Sequence, residues 1–388
     1  MKRAITTLLL LVSIFSSVSA QKLSEESQIS LLTISPGSEL WSFAGHTAIR
    51  VMDPRLDIDV NFNYGVFDFR KENFYFKFLR GTLPYEIGAY NFRQETPYWI
   101  KEDRIVTQQV LNLSLEQRQK MFDFLMNNYQ PENREYRYLF FYDNCSTRVR
   151  DVLEEVVGDS LKFSTTLNAD STFRDWIKIY SQKSKNDWSE FGMDLLIGIP
   201  SDEVTNSYRA MYIPDNLMHA FDSAQVYKDG SWRPLVSRKY DLNSTSKVPE
   251  SLPVKPFTLF SILFLGLLYM SYMESQKGKW FILIDKILFT ITGICGILFF
   301  LLWFFTDHGV TSWNLNILWA IPILFPMALF LKRQESQPFL KRLFFVQMIL
   351  AAFLLIGFKF LPQTFNTAII PIVGIVLMRS YLIWKRKS

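Results

Sequence analysis

Cys145 in YDNCSTRVRDVL, His46 in SFAGHTAIR and Asn63 in NFNYG are the residues whose types suit covalent acyl chemistry. A thiol attacks a carbonyl carbon as its thiolate, so it needs a base. An imidazole base in turn needs a polar neighbour to fix its tautomer. Cys145 follows Asn144 directly and precedes Val149, Val152, Leu153, Val156 and Val157, an apolar stripe at helical spacing. The thiol is therefore expected at a helix N-terminus, capped by Asp143 or Asn144. There the free N–H groups and the helix dipole lower a thiol's pKa. The Cys145 backbone N–H is a candidate donor to an oxyanion. His46 is preferred to His219 as the base: it begins an alternating strand, HTAIRVMD, after the small residues FAG, whereas His219 sits in an amphipathic helix, DNLMHAF. Asn63 is expected on the next strand as the orienting group, with Asn61 and Asp68 behind it. Tyr64 and Asn144, their chain neighbours, are expected to touch substrate.

Cysteine usage sharpens this. The chain has two cysteines, and Cys295 lies in an apolar run near the C-terminus, so Cys145 has no partner for an intramolecular disulfide. Such a residue is packed, bridged to another chain, or reactive. Taken singly, a packed cysteine and a structural histidine are the ordinary readings. The order of elements favours a Cys/His site: a histidine opens one strand, a polar strand follows, and Asn-Cys opens a helix after an apolar segment.

Several elements must position these groups. ISLLTIS (29–35) reads as a buried strand, HTAIRVMD and IDVNFNYGVF (58–67) as alternating strands, and RIVTQQVLNL (104–113) as another. Ser114 with Gln117 has the form of a capping box before a helix that Pro131 ends. RYLFFYD (137–143) looks like an apolar strand, and Gly158 suits the C-terminus of the cysteine helix. Residues 159–223 read as mostly helical, with Ser171 a helix cap, and KDGS (228–231) as a hairpin turn. A polar, proline-bearing linker is expected over 239–255.

The whole chain, 388 residues, is 49% hydrophobic with 35 phenylalanines, and the excess is local. Residues 1–20 have the basic start, apolar middle and Val18-Ser19-Ala20 end of a secretory signal peptide. Five apolar runs near 256–273, 281–304, 313–331, 343–361 and 367–384 each approach the roughly 20 residues that cross a bilayer as a helix. Lys277 and Lys279, then Lys332, Arg333, Lys341 and Arg342, then Lys385, Arg386 and Lys387 alternate with two loops, 305–312 and 362–366, that hold no Lys or Arg. By the positive-inside rule the C-terminus is cytoplasmic and residues 21–255 are exported. The net charge of +5 is thus mostly membrane-loop charge, which argues against nucleic acid as a partner. Three scattered histidines lack metal-ligand spacing and no phosphate-binding glycine loop occurs, so no cofactor is expected.

Other features carry two readings each. Asp307 and His308, in the exported loop TDHGVTSWNLN, either hold a head group or amine beside the active site or form a polar turn anchored by Trp313. Phe74, Phe76, Phe78 and Tyr85 either line an acyl groove or belong to the core. Asp285, Lys286, Lys359 and Arg379, near the ends of spans, are expected to snorkel to the interface.

The motifs PGSELWSFAGHTAIRV, NFNYGVFDF, FLRGTLPY, YLFFYDNCSTRVRD and TDHGVTSWNLNILW resemble those of the Lnb-type lipoprotein N-acyltransferases across nearly the whole mature chain. The order of His and Cys also resembles the circularly permuted papain-like fold, including the lecithin–retinol acyltransferase relatives with their Asn-Cys nucleophile. The resemblance implies an α+β papain-like domain with a helical extension over 21–238, followed by a five-helix transmembrane domain over 256–388. It further implies transfer of a fatty acyl chain from a phospholipid or glyceride, through a Cys145 thioester, to the N-terminal cysteine amine of a diacylated lipoprotein. The expected location is the inner membrane, with the catalytic domain in the periplasm. Relatives of the broader fold use His or Glu where this chain has Asn63. From the residues alone, a membrane-anchored cysteine peptidase or amidase and a non-catalytic sensor or scaffold stay open.

Overall fold

The structure is a computed structural model that describes residues 21–37, 39, 42–164, 170–244, 252–278, 280–331 and 338–386. The signal-peptide reading, residues 245–251 of the expected linker, and Lys279, Lys332, Arg333 and Lys387 lie outside the described residues.

In chain order the first elements are β1 (Gln28–Ile34), β2 (His46–Asp53), β3 (Ile58–Val66), α1 (Phe74–Arg80), β4 (Pro84–Asn91), α2 (Phe92–Lys101), β5 (Val106–Leu111), α3 (Leu115–Asn128), β6 (Glu135–Arg137) and α4 (Cys145–Val157). There follow β7 (Leu161–Lys162), α5 (Phe173–Lys183), α6 (Asp187–Leu196), α7 (Pro214–Ser223), β8 (Gln225–Lys228), β9 (Ser231–Pro234) and β10 (Val236–Asp241). Seven strands form an antiparallel sheet in the order β10-β5-β1-β2-β3-β4-β6, and β7-β8-β9 form a small second one. Side chains alternate between the faces of the large sheet. Ile29, Leu31, Ile49, Val51, Phe62 and Tyr64 face α3 and α4 and form the main core with Val149, Val152 and Leu153. On the other face Leu32, Ile34, Ala48 and Val106 meet Phe92 and Trp99 of α2. β2 is thus covered on both sides.

Local signals account for much of this. The Ser114 hydroxyl accepts from Gln117 N while the Gln117 side chain accepts from Ser114 N, the expected capping box. Asp229 and Gly230 turn the β8–β9 hairpin with φ of 51° and 77°, the paired positive values of a type I′ turn. The stretch 137–143 departs from expectation: only Arg137 is in a strand, Glu135–Arg137 beside β4, and 138–143 make tight turns closed by an isolated bridge between Leu139 and Asp143. Thr172, not Ser171, caps α5. The linker also starts later than residue 239, because Lys239, Tyr240 and Asp241 pair with β5.

The C-terminal part comprises α8 (Pro256–Lys277), α9 (Ile282–Phe304), α10 (Leu324–Leu329), α11 (Pro338–Gly357) and α12 (Ile369–Lys385). Among the described residues, α8, α9 and α11 are long and apolar enough to span a membrane, and α12 has 17 residues. The third apolar run is no continuous helix. It holds a 3₁₀ turn at Leu315–Leu318 and the short α10. Irregular backbone at membrane depth must be buried in protein, with its polar groups bonded. Gly293 and Gly296 of α9 let it approach: a Cβ on Gly296 would stand 1.9 Å from Ala320 O, and one on Gly293 2.1 Å from Phe325 N. Gln347 of α11 donates from Nε2 to Leu318 O and Trp319 O at 3.2 and 3.1 Å, satisfying carbonyls the broken helix leaves open.

Arg379 and Asp285 do not snorkel. Both are fully buried: Arg379 of α12 donates from Nε and Nη2 to Asp285 of α9 at 2.6 and 2.8 Å, from Nη1 to Ser271 of α8 at 2.8 Å, and it pairs with Glu274. Carboxylates on two neighbouring helices make an internal site for the guanidinium, which removes the need to reach water.

The two lysine- and arginine-free loops meet the N-terminal domain. Gly198 N donates to Val310 O at 2.8 Å and Asn314 Nδ2 to Leu195 O at 2.7 Å. Thr364 N donates to Asp202 at 3.1 Å and Asn366 Nδ2 to Asp194 at 3.0 Å. Both loops therefore lie on the side of the membrane that carries this domain.

Candidate active site

Cys145 is the first residue of α4. Asn144 places it there: its Oδ1 accepts from Ser146 N and Thr147 N at 2.8 and 3.0 Å, while Thr147 Oγ1 accepts from Asn144 N at 2.7 Å. Asn144 Nδ2 donates to Phe140 O and Tyr212 O, at 3.0 and 2.8 Å. The amide is thus buried and fully used in holding the helix start, which makes Asn144 a positioning group rather than the substrate contact expected.

The start of β2 abuts the start of α4. Thr47 Oγ1 and Ser146 Oγ are 3.0 Å apart, and the Thr47 backbone N–H is directed at the Cys145 sulfur. The β2–β3 ladder ends at the Ala48–Asn63 pair, and β3 is irregular beyond Asn63. In that irregular stretch Gly65 takes φ +89°, which disfavours an L side chain, and a Cβ there would sit 3.7 Å from Cys145 Cβ and 3.3 Å from the Tyr138 ring. The backbone thus passes close beside the thiol.

His46, adjoining Thr47, shares a sheet face with Asn63, and its Nε2 lies 2.8 Å from Asn63 Oδ1. The direction of that bond follows from the next group. Asn63 Nδ2 donates to Glu95 Oε1 and Oε2 of α2 at 3.1 and 3.2 Å, and Asn61 Nδ2 donates to Glu95 Oε2 at 2.9 Å. A carboxylate accepts only, so Asn63 turns its NH₂ to Glu95 and its oxygen to His46. His46 Nε2 then carries the proton and Nδ1 the lone pair of a base.

Burial drives His46 down to about 4, with Arg104 adding to the effect and the Asn63 acceptor opposing it. Burial also pushes the Cys145 thiol up, against the Thr47 N–H, the Ser146 hydroxyl and the amides of the helix start. This corrects the expected low thiol pKa: the helix end supplies its donors, but loss of water outweighs them. The resting pair is a neutral thiol and a neutral imidazole.

Two groups at the site escaped the sequence reading. Glu95 sits in FRQETPYWIK, where Pro97 masks the helix that carries it. Arg104, buried before β5, donates from Nε to Ser35 O at 2.7 Å. Among 42 Lys and Arg and 37 Asp and Glu, neither stands out by type. A helix start at Asn91, whose side chain accepts from Arg93 N, was the available signal for α2.

The remaining expected contacts go elsewhere. Tyr64 points from β3 into the core under α4, 2% exposed, where its hydroxyl accepts from Asn128 Nδ2 at 2.8 Å. Strand alternation sends it to the face opposite Asn63, so it is a core residue. Asp307 and His308 bind the end of α1: Asp307 N donates to Arg80 O at 2.8 Å and His308 Nε2 meets Leu79 O at 3.0 Å. Phe74 is buried and Tyr85 stacks on Tyr138 with ring centres 4.5 Å apart, whereas Phe76 and Phe78 are exposed. Asp68 pairs with Arg70, and His219 lies on the exposed side of α7.

Fold and site together define a membrane protein: a mixed α/β N-terminal domain bearing a partly buried Cys and a linked His-Asn-Glu set, on a helical membrane domain. Residues 16–183 match the family model of the Lnb N-terminal periplasmic domain, and residues 247–388 match that of the Lnb transmembrane domain. The chain belongs to the Lnb family in both of its parts, and its N-terminal domain is periplasmic. No curated protein and no solved structure matches it.

Proposed function

We propose that the protein is a thiol-dependent acyltransferase that moves a fatty acyl chain from a glycerolipid to the N-terminal cysteine amine of a diacylated lipoprotein. The observation that carries this reading is the meeting of the β2 and α4 starts, with His46 held in the tautomer that leaves Nδ1 free. Cys145 attacks the ester carbonyl of a phospholipid or glyceride. As the S–C bond forms, the thiol proton passes to His46, because neither group is charged at rest. The ester C–O bond breaks, the leaving alkoxide takes that proton, and a lyso lipid departs. The lipoprotein amine then attacks the thioester, an N–C bond replaces C–S, and the amine's proton returns the thiol through His46. Asn63, held by Glu95, keeps the imidazole oriented, and the Cys145 N–H faces the oxyanion. Exclusion of water by the bound lipid favours the amine over water as acceptor. The domain works at the periplasmic face of the inner membrane with the C-terminus in the cytoplasm. That placement is supported by the two loops that meet the N-terminal domain and by the basic clusters at the other ends of the helices.

Intact mass of the detergent-held protein after incubation with phospholipid tests this, wild type beside Cys145→Ala and His46→Ala. The expected result is a hydroxylamine-labile gain of one acyl chain in the wild type, absent in Cys145→Ala and strongly reduced in His46→Ala. Absence of an adduct with phospholipid or glyceride, with a diacylated lipopeptide left unmodified, overturns the proposal in favour of a peptidase, amidase or scaffold.

A further inference from the structure

We propose that α1 is seated in the periplasmic leaflet of the bilayer, and that the rings behind it form the route by which an acyl chain reaches Cys145. The first half rests on geometry alone; the second rests on the acyl-transfer reading.

α1, FYFKFLR, buries only Phe74. Tyr75, Phe76, Phe78 and Leu79 are 74, 63, 47 and 55% exposed, a density of apolar side chains that water disfavours on a seven-residue helix. Its height is set by the membrane domain. Asp307, three residues beyond the end of α9, donates its N–H to Arg80 O, and Arg137 donates to Asp307 O. Three residues of chain reach at most about 10 Å, so the C-terminal end of α1 stands at the mouth of a membrane helix. A Cβ on Gly81 would come within 2.9 Å of His308 N, so the contact is close. Phe304, Phe305 and Trp313, at the same end of α9, are also exposed, which continues the apolar belt onto α1. Lys77 and Arg80 on the helix suit the phosphates of that leaflet. The occupant of this face is therefore the phospholipid leaflet itself.

Behind α1 the rings are continuous. Phe78 and Phe74 are 6.1 Å apart by centroid, Phe74 and Phe67 5.9 Å, Phe67 and Tyr85 5.4 Å, and Tyr85 and Tyr138 4.5 Å. Tyr138 borders Gly65, which borders Cys145. An aromatic column thus joins the leaflet to the thiol.

The test is nitroxide labelling of the full chain, carrying Cys145→Ser and Cys295→Ser, in nanodiscs of phosphatidylethanolamine and phosphatidylglycerol. Labels at Tyr75→Cys, Phe76→Cys and Phe78→Cys are compared with Ser231→Cys, on the hairpin beyond the far end of α4. Collision with oxygen exceeding collision with a water-soluble nickel chelate at the three α1 positions, reversed at 231, is the expected result. Values at α1 matching those at 231 overturn the seating, whatever the enzyme does. For the route, a phospholipid with a diazirine on its acyl chain is expected to crosslink to residues of the column in wild-type protein. Crosslinks confined to α8–α12 overturn it. An unlabelled thiol in the mass experiment with α1 still in lipid overturns the acyl-transfer reading and leaves the seating in place.

Discussion

Glu95 decides which way the Asn63 amide faces, and hence which nitrogen of His46 carries the proton and which the lone pair. Glu95→Gln sets a second N–H donor against Asn63 Nδ2 and removes the reason for that orientation. Acyl-enzyme formation is expected to slow roughly 10- to 100-fold, the usual cost of losing an outer-shell partner. The double variant Glu95→Gln with Asn63→Asp restores an acceptor both to His46 Nε2 and to the introduced amide, and is expected to recover much of the rate. The ¹⁵N shifts of His46 check the cause, reporting an Nε2–H tautomer in wild type and double variant but a mixture in the single one. The residue scale also marks the limit of sequence reading. Cys145 and His46 were legible because the chain has two cysteines and three histidines. Asn63 followed from its strand. Tyr64 was misplaced by disregard of the two-residue period of that same strand, and Glu95 was hidden in a common residue type on an unrecognised helix.

At the scale of elements, strands and helices with clean periodicity were readable, and α4 with its Asn144 cap matches the apolar stripe and helix start expected around Cys145. The third apolar run was not. Its composition suits a membrane helix, but the packing of α9 takes precedence: Gly293 and Gly296 admit irregular backbone, and Gln347 bonds the carbonyls it exposes. Hydropathy records how apolar a segment is, not whether its polar backbone finds partners on a neighbour. Gly296→Val puts side-chain atoms where Ala320 O stands and is expected to destabilise the membrane domain by roughly 3 kcal/mol or more. Thermal melting in detergent reads this as a lowered midpoint, whereas Gly266→Val, at an open position of α8, is expected to melt near wild type.

Across the whole molecule, charge alternation placed the loops correctly, since both bare loops touch the periplasmic domain. It did not reveal that a charge can stay inside. Arg379→Leu leaves the buried Asp285 and the largely covered Glu274 without their cation and is expected to cost roughly 3–5 kcal/mol. A triple variant, Arg379→Leu with Asp285→Leu and Glu274→Gln, is expected to regain most of that. Melting midpoints of the two variants side by side distinguish a lost pair from a lost packing contact.

The same ion cluster imposes an order in time. Asp285 is made 94 residues before Arg379. At 5–20 residues per second, its carboxylate waits roughly 5–20 s in the nascent chain for a counter-charge. α8 packs mainly on α12, and Arg379 of α12 is the group that reaches the acids of both α8 and α9, so the cluster is complete only when α12 arrives. Arg379 thus joins α8 to α9 only after the last membrane helix has been synthesised, which makes the cluster a late clasp in assembly as well as a bond.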